Sequence, residues 1–398
     1  MKFTLVGILA ACVGVVAFFA LTDVSAPPAV GSPPLPVSAP PYFGPETDPI
    51  ASSKRIQVAL LLDTSNSMDG LIDQARSQLW KMVNELAAAT KGDAEASLEI
   101  ALYQYGNDDL SMRNGYVQQL LPLTTDLDAV SAALFALTTS GGSEYAPWTI
   151  VEAATDMEWT TEAGALRIAV IAGNENFAQG SVTVRQACEA AAAKGISVNP
   201  VFCGDYQHGI RLGWNQMQCT EGTYLNIDHN DQVAHVATPY DDDVMTLNRR
   251  LNATYIGYGS ERRARVQNQA AQDANALSVA PANARTRAFA KSKKVYKNAS
   301  WDLVDYAESN AVGELDETAL PDTLRAMSER ERVVFVREKA AERAAIQTQL
   351  RALEQRVDAY LTEQRTHTDP AGPTLDQVLI GAIRAQAVRN GFTFESKQ

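Results

Sequence analysis

The chain has 398 residues, enough for about two or three ordinary domains, and 46% of them are hydrophobic, which excludes an intrinsically disordered protein. Lys and Arg number 34 against 47 Asp and Glu, a formal net charge of -13. With no basic excess to neutralise phosphates, the composition argues against a nucleic-acid partner and for a cation or a basic protein surface.

Lys2 is followed by an uncharged apolar run over residues 3–21, FTLVGILAACVGVVAFFAL, close to the roughly 20 residues that cross a bilayer. Residues 1–22 therefore read as a signal segment or membrane anchor with Lys2 on the cytoplasmic side. Cleavage after VSA at Ala26 meets Pro27, and the LAAC that resembles a lipobox at Cys12 is followed by further apolar residues, so an anchor is the favoured form. All three forms place the body outside the cytoplasm, in a periplasmic or other extracytoplasmic position. Residues 23–53 are crowded with proline and form an extended linker.

From residue 54 strands and helices alternate. IQVALLLD is a near-continuous apolar run, the pattern of a parallel strand covered on both faces, and it runs into a helix in which Leu71, Ala75, Leu79, Met82, Val83 and Leu86 share one face. Strands in LEIALYQYG, LRIAVIAG, ISVNPVFCG and TYLNID are predicted, with an extended segment in GYVQQLLPL. Helices fall in DLDAVSAALFAL, PWTIVEAATDMEW, around Cys188 and from Asp241 to Ile256. The series predicts an α/β, doubly wound, mostly parallel sheet over residues 54–258 with helices on both faces.

The first strand ends in LLLDTSNSMDG. In doubly wound sheets ligands bind beyond the carboxyl ends of the strands, where the strand order reverses. There a carboxylate, Asp63, and two hydroxyls, Ser65 and Ser67, offer hard oxygen ligands suited to a small divalent cation. Ser65 and Ser67 are also apt helix caps, whereas an acid ending a buried strand needs a partner.

DTSNSM, so placed between strand and amphipathic helix, resembles the DxSxS motif of von Willebrand factor A domains. The resemblance covers roughly residues 54–258. It implies a metal-ion-dependent adhesion site holding Mg²⁺ (or Mn²⁺ or Ca²⁺), completed by a threonine in a second loop and an aspartate after a fourth strand. It also implies a protein partner that presents an acidic residue. Two loops depart from the pattern. In TTSGGSEYAPW, Ser143 stands for the threonine and Glu144 adds a carboxylate; in VIAGNENF, Gly173 stands where the aspartate is expected and Glu175 is the nearest acid. As isolated residues, Glu144 and Glu175 read more readily as solvated acids than as ligands.

Cys188 lies on a predicted helix, while Cys203 and Cys219 flank one loop at the same end of the sheet, so Cys203–Cys219 is the favoured disulfide, with three buried thiols as the alternative. No nucleophile elbow, HExxH helix or phosphate-binding glycine loop occurs, and the four histidines are scattered. An enzyme is therefore not expected.

Residues 259–319 read as a polar, partly helical connector in which Lys291, Lys293, Lys294 and Lys297 form a solvated basic face. Over residues 320–398, Ile346, Leu350, Leu353, Val357 and Tyr360 step along a long helix at coiled-coil spacing, and a second amphipathic helix follows TDPAGP. A helical hairpin is expected, with a homo-oligomer through the seam as the alternative. Three functions emerge: a membrane-tethered, metal-dependent binding module of the cell envelope, a metal-free scaffold assembling through the tail, and a metal-dependent hydrolase.

Overall fold

The computed structural model describes residues 53–92, 94–203, 208–217, 220–227, 235–366 and 375–394. The expected anchor and nearly all of the proline linker lie outside them. Among the described residues no helix is long and apolar enough to cross a membrane.

The apolar run Arg55–Asp63 forms strand β1, buried from Ile56 onward. Helix α1 (Asp69–Ala87), the short strands β2 (Ala89–Lys91) and β3 (Ala94–Glu95), and strand β4 (Ser97–Tyr105) follow. Next come β5 (Val117–Thr124), α2 (Leu127–Ala136), α3 (Ala146–Asp156), β6 (Leu166–Gly173), α4 (Val184–Ala193) and β7 (Ser197–Cys203). Helix α5 (His208–Asn215), strand β8 (Leu225–Ile227) and α6 (Asp241–Asn252) complete the alternating part. The sheet order is β5-β4-β1-β6-β7-β8, parallel except for β5 at its edge. The chain leaves β1 for β4 on one side and later returns to β6 on the other, so the switch point falls at the carboxyl end of β1.

Strand alternation sorts the core into two layers. Ile56, Val58, Leu60 and Leu62 of β1 face the layer that holds Leu79, Trp80 and Val83 of α1. Ala59 and Leu61 face the layer of Ile150 and Ala153 from α3 and of Ala187 from α4. Asp63 follows in the same parity as Ala59 and Leu61, toward α3. Helix α4 begins with a reciprocal capping box between Thr183 and Gln186, and α6 carries Asp241, Asp242 and Asp243 in its first turn and Arg249 and Arg250 in its last, matching the helix dipole.

The cysteine pairing differs from the expected one. Cys203 is a free, buried thiol packed among Val201, Leu225 and the apolar residues of the α1 layer, while Cys188 is disulfide-bonded to a partner outside the described residues. Flanking one loop misled because the chain after β7 runs on through α5 and ends near α4, where Met217 Sδ lies 3.9 Å from Cys188 Sγ.

Beyond the sheet the chain forms α7 (Arg262–Val279), α8 (Pro281–Lys291), the single turns α9 (Leu303–Tyr306) and α10 (Asp322–Arg325), and the long α11 (Glu329–Thr366). Helix α12 (Leu375–Arg389) and strand β9 (Thr393–Phe394) follow. The apolar seam of α11 does not meet α12 as a hairpin. Ile346, Leu350, Leu353 and Val357 pack on Val244, Leu247 and Leu251 of α6 and Ala288 and Phe289 of α8. Helix α12 instead lays Leu379, Ile383 and Ala387 on the α1 layer, Gln386 exchanges two hydrogen bonds with the buried Asn199 of β7, and β9 pairs with β2.

The basic cluster is likewise resolved into pairs. Lys291 is fully buried, bonded to Asp273 at 3.0 Å; Lys293 meets Glu354, Lys294 meets Glu95 and Lys297 meets Glu308, each at 2.9 Å. Arg287, also buried, bridges Asp128 of α2 and Asp273 of α7 at 2.8 and 2.7 Å and lies over the Trp80 ring of α1. The connector is a clamp across the α1 layer.

Candidate metal centre

Asp63 terminates β1 with no exposure to solvent, and Ser65 beside it is almost as closed. The turn between them is held by its own backbone: Ser65 N–H donates to Asp63 Oδ1 at 2.8 Å, and Thr64 N–H donates to Tyr105 O of β4 at 2.8 Å. Asn66 N–H donates to Gly141 O at 3.1 Å and Ser140 N–H donates to Thr64 O at 3.0 Å, so the second loop is stitched directly onto the first. The Ser65 and Ser67 hydroxyls stand 3.0 Å apart. Ser67 Oγ donates to Asn174 Oδ1 at 2.9 Å, which ties the third loop to the same spot.

Glu144 is brought to Asp63 because it ends the second loop just before α3, on the side of the sheet to which Asp63 points. It is 3% exposed. Gly106, at the end of β4, makes room for both: a Cβ there would stand 2.7 Å from Asp63 Oδ1 and 2.8 Å from Glu144 Cγ, and its φ of +79° suits glycine. Burial pushes the Asp63 carboxyl up to about 6, offset in part by hydrogen bonds from Ser65. Burial and the neighbouring Asp63 push Glu144 up to about 9. Two acids are thus confined where neither finds a cationic side chain among the described residues, and besides Ser65 the partner left to Asp63 is the Glu144 carboxyl, which is protonated at neutral pH and donates to it.

Gly173 has a steric reason. It ends β6 in register beside β1, and a Cβ on it would stand 2.4 Å from the Tyr105 hydroxyl and 2.9 Å from Trp214. Tyr105 donates to Ala172 O at 3.0 Å; Trp214 of α5 donates to Glu175 O at 2.7 Å and packs edge-on against Phe177. The space an acid would need at position 173 is filled by these two rings.

Asp63, Ser65, Ser67 and Glu144 are therefore gathered at one point. Ser143 is half-buried beside them but takes no part in the hydrogen-bond chain, and Glu175 is exposed, reaching Asp63 and Glu144 only through its charge. Asn174 is the member that sequence reasoning missed; its only signal was its place next to Gly173. Among the described residues no group of three His, Cys, Asp or Glu side chains is disposed for a metal, so the donors here are two carboxylates and two hydroxyls, a hard oxygen set that fits Mg²⁺ or Mn²⁺. The two buried acids set against each other with no cationic side chain beside them are the observation that supports the fit.

The central strand ending in DTSNS, the strand order around it and helices on both faces define a doubly wound α/β domain with its candidate site at the switch point. No family model matches the chain, and no curated protein does. Among solved structures it is similar to the conserved hypothetical protein BatB from Bacteroides thetaiotaomicron, at 18% identity over 44% of this chain and 90% of that one, with a TM-score of 0.34. An aerotolerance-related membrane protein from Bacteroides fragilis is 16% identical over 44% of this chain and 92% of its own, TM-score 0.31. A von Willebrand factor type A protein from Catenulispora acidiphila is 15% identical over 45% of this chain and 40% of its own, TM-score 0.34.

Proposed function

We propose that the protein is an exported, membrane-tethered binding module that captures a partner protein through a divalent cation held by Asp63, Ser65, Ser67 and Glu144. The observation that carries the reading is the pair of buried acids, Asp63 and Glu144, set against each other, a costly arrangement in the absence of a counter-charge. Asp63 is aimed by the Ser65 N–H, the paired serine hydroxyls offer adjacent oxygens, and Glu144 supplies the carboxylate that Gly173 cannot. Ser143 and Glu175 line the rim. When bound, Mg²⁺ or Mn²⁺ would supply an open coordination position for a carboxylate oxygen of the partner. The anchor-like segment at residues 1–22 supports export, and so does the disulfide at Cys188, since such bonds persist in oxidising compartments.

Calorimetric titration of the exported part with Mg²⁺ and with Mn²⁺ tests the site: heat is expected for the wild type and none for Asp63→Ala. Equal heats would remove the assignment. A second reading, a metal-free scaffold, is favoured by the Ser65–Ser67–Asn174 chain, which closes the loop by hydrogen bonds alone. Partner capture that persists in chelator and in Asp63→Ala would select it, and metal-dependent turnover of a substrate would select a hydrolase.

A further inference from the structure

Away from the metal centre, three helices bring an amine, an amide and a carboxylate into one closed ring. Lys291 Nζ, on the last residue of α8, lies 2.5 Å from Oδ1 of Asn252 at the end of α6. Asn252 Nδ2 donates to Asp273 Oδ2 of α7 at 2.7 Å, and Lys291 Nζ donates to the same Oδ2 at 3.0 Å and to Oδ1 at 3.1 Å. Lys291 has no exposure to solvent. An ion pair accounts for the contact of Lys291 with Asp273; it does not require the amine to be seated against the carbonyl of an amide that the same carboxylate holds by its nitrogen.

We propose that Lys291, Asn252 and Asp273 form a self-modifying site in which the Lys291 amine condenses with the Asn252 side-chain amide, joining α8 to α6 through an isopeptide bond. The neutral amine attacks Asn252 Cγ; the Nζ–Cγ bond forms, the Cγ–Nδ2 bond breaks, and one ammonia leaves. Asp273 touches both nitrogens, so it takes the proton released by Nζ and passes it to the departing Nδ2, ending as the carboxylate it began as. No oxidant or cofactor enters the balance.

The environment suits each role. Burial pushes the Lys291 ammonium down to about 8, with Asp273 opposing and the Arg287 charge assisting, and desolvation beside another cation is a recognised way to free a lysine for attack. Burial would raise Asp273, but Lys291 and Arg287 together hold it well below the usual carboxylate range. An ionised carboxylate repels a nucleophile, which leaves the Asn252 amide as the electrophile. It still accepts a proton from the adduct, whose nitrogen is far more acidic than a lysine ammonium. The three groups sit on packed helices, so little motion remains to be lost on the way to reaction.

Full-length protein is to be reduced, denatured, digested and read by mass spectrometry. The expected product is one species joining the peptides that contain Asn252 and Lys291, lighter than their sum by one ammonia, in the wild type and absent from Lys291→Arg and Asp273→Asn. The wild-type result does not depend on either variant folding. Recovery of the two peptides only as separate species, from folded protein incubated at neutral pH, overturns the proposal. A link lighter by one water, at Asp273, overturns the assignment of Asn252 as the electrophile.

Discussion

Arg343, near the middle of α11, places Nη1 2.7 Å from Oδ2 of Asp302, a carboxylate with no exposure to solvent. The same guanidinium donates to Thr254 Oγ1 at 3.0 Å and to Thr254 O at 2.9 Å and lies 4.0 Å over the Tyr255 ring. One side chain thus fixes the long helix to the segment after α6. Removing one partner of such a pair strands the other charge, at a cost of about 3–5 kcal/mol. Arg343→Met is expected to lose that much stability in urea denaturation; a loss under about 1 kcal/mol would show that water replaces the guanidinium at Asp302.

Asp305 shares the guanidinium with Asp302, at 2.6 Å, so a single cation faces one buried and one half-buried acid. Burial pushes Asp305 up to about 6, against the pull of Arg343. An acid raised above its unfolded value of about 3.9 binds its proton more tightly in the folded state. Between about pH 4 and about pH 6 the native state therefore holds more protons, and this group's contribution to stability falls as pH rises through that window, then levels off. Asp305→Asn is expected to flatten the pH profile there; profiles of equal slope in the two proteins would contradict the linkage.

At Gly173 the expected outcome of introducing an acid is damage. The Tyr105 hydroxyl and the Trp214 ring leave no place for a Cβ, and overpacking of this kind costs about 1–3 kcal/mol. Gly173→Asp is expected to lower the melting temperature without strengthening Mg²⁺ binding. Tighter binding at unchanged stability would mean that the two rings move aside freely.

The α11 seam is committed within the chain. Leu350 is fully buried against α6 and α8, so Leu350→Ala is expected to cost about 2–5 kcal/mol and to leave the sedimentation mass of the protein unchanged. A shift from dimer to monomer with the fold intact would place the seam at an interface between copies.

The sheet and half of the site could be read because they are written locally: an apolar run that ends in DTSNS can hardly be anything but a buried strand delivering oxygens to its tip. What escaped reading was contact through space. Nothing adjacent to Gly173 announces that Tyr105, from another strand, and Trp214, from a later helix, occupy the place of its side chain. The connector misled for a different reason. Lys291 looks like part of a solvated basic face in one dimension, and only the packing of α7 and α8 gives it Asp273 as a counter-charge. The α11 seam was recognised as apolar, but periodicity reports that a face is covered and is silent on what covers it.

The pairing of β9 with β2 joins positions some 303 residues apart in the chain. Until Leu379, Ile383, Ala387 and Phe392 arrive, the α1 layer has an open flank beside β7 and β8, and contacts this distant in sequence are slow to form. Assembly of the layer is therefore deferred to its most downstream helix, and a polypeptide made from its amino end stays unfinished on that face long after the loops that carry Asp63 and Glu144 have been made.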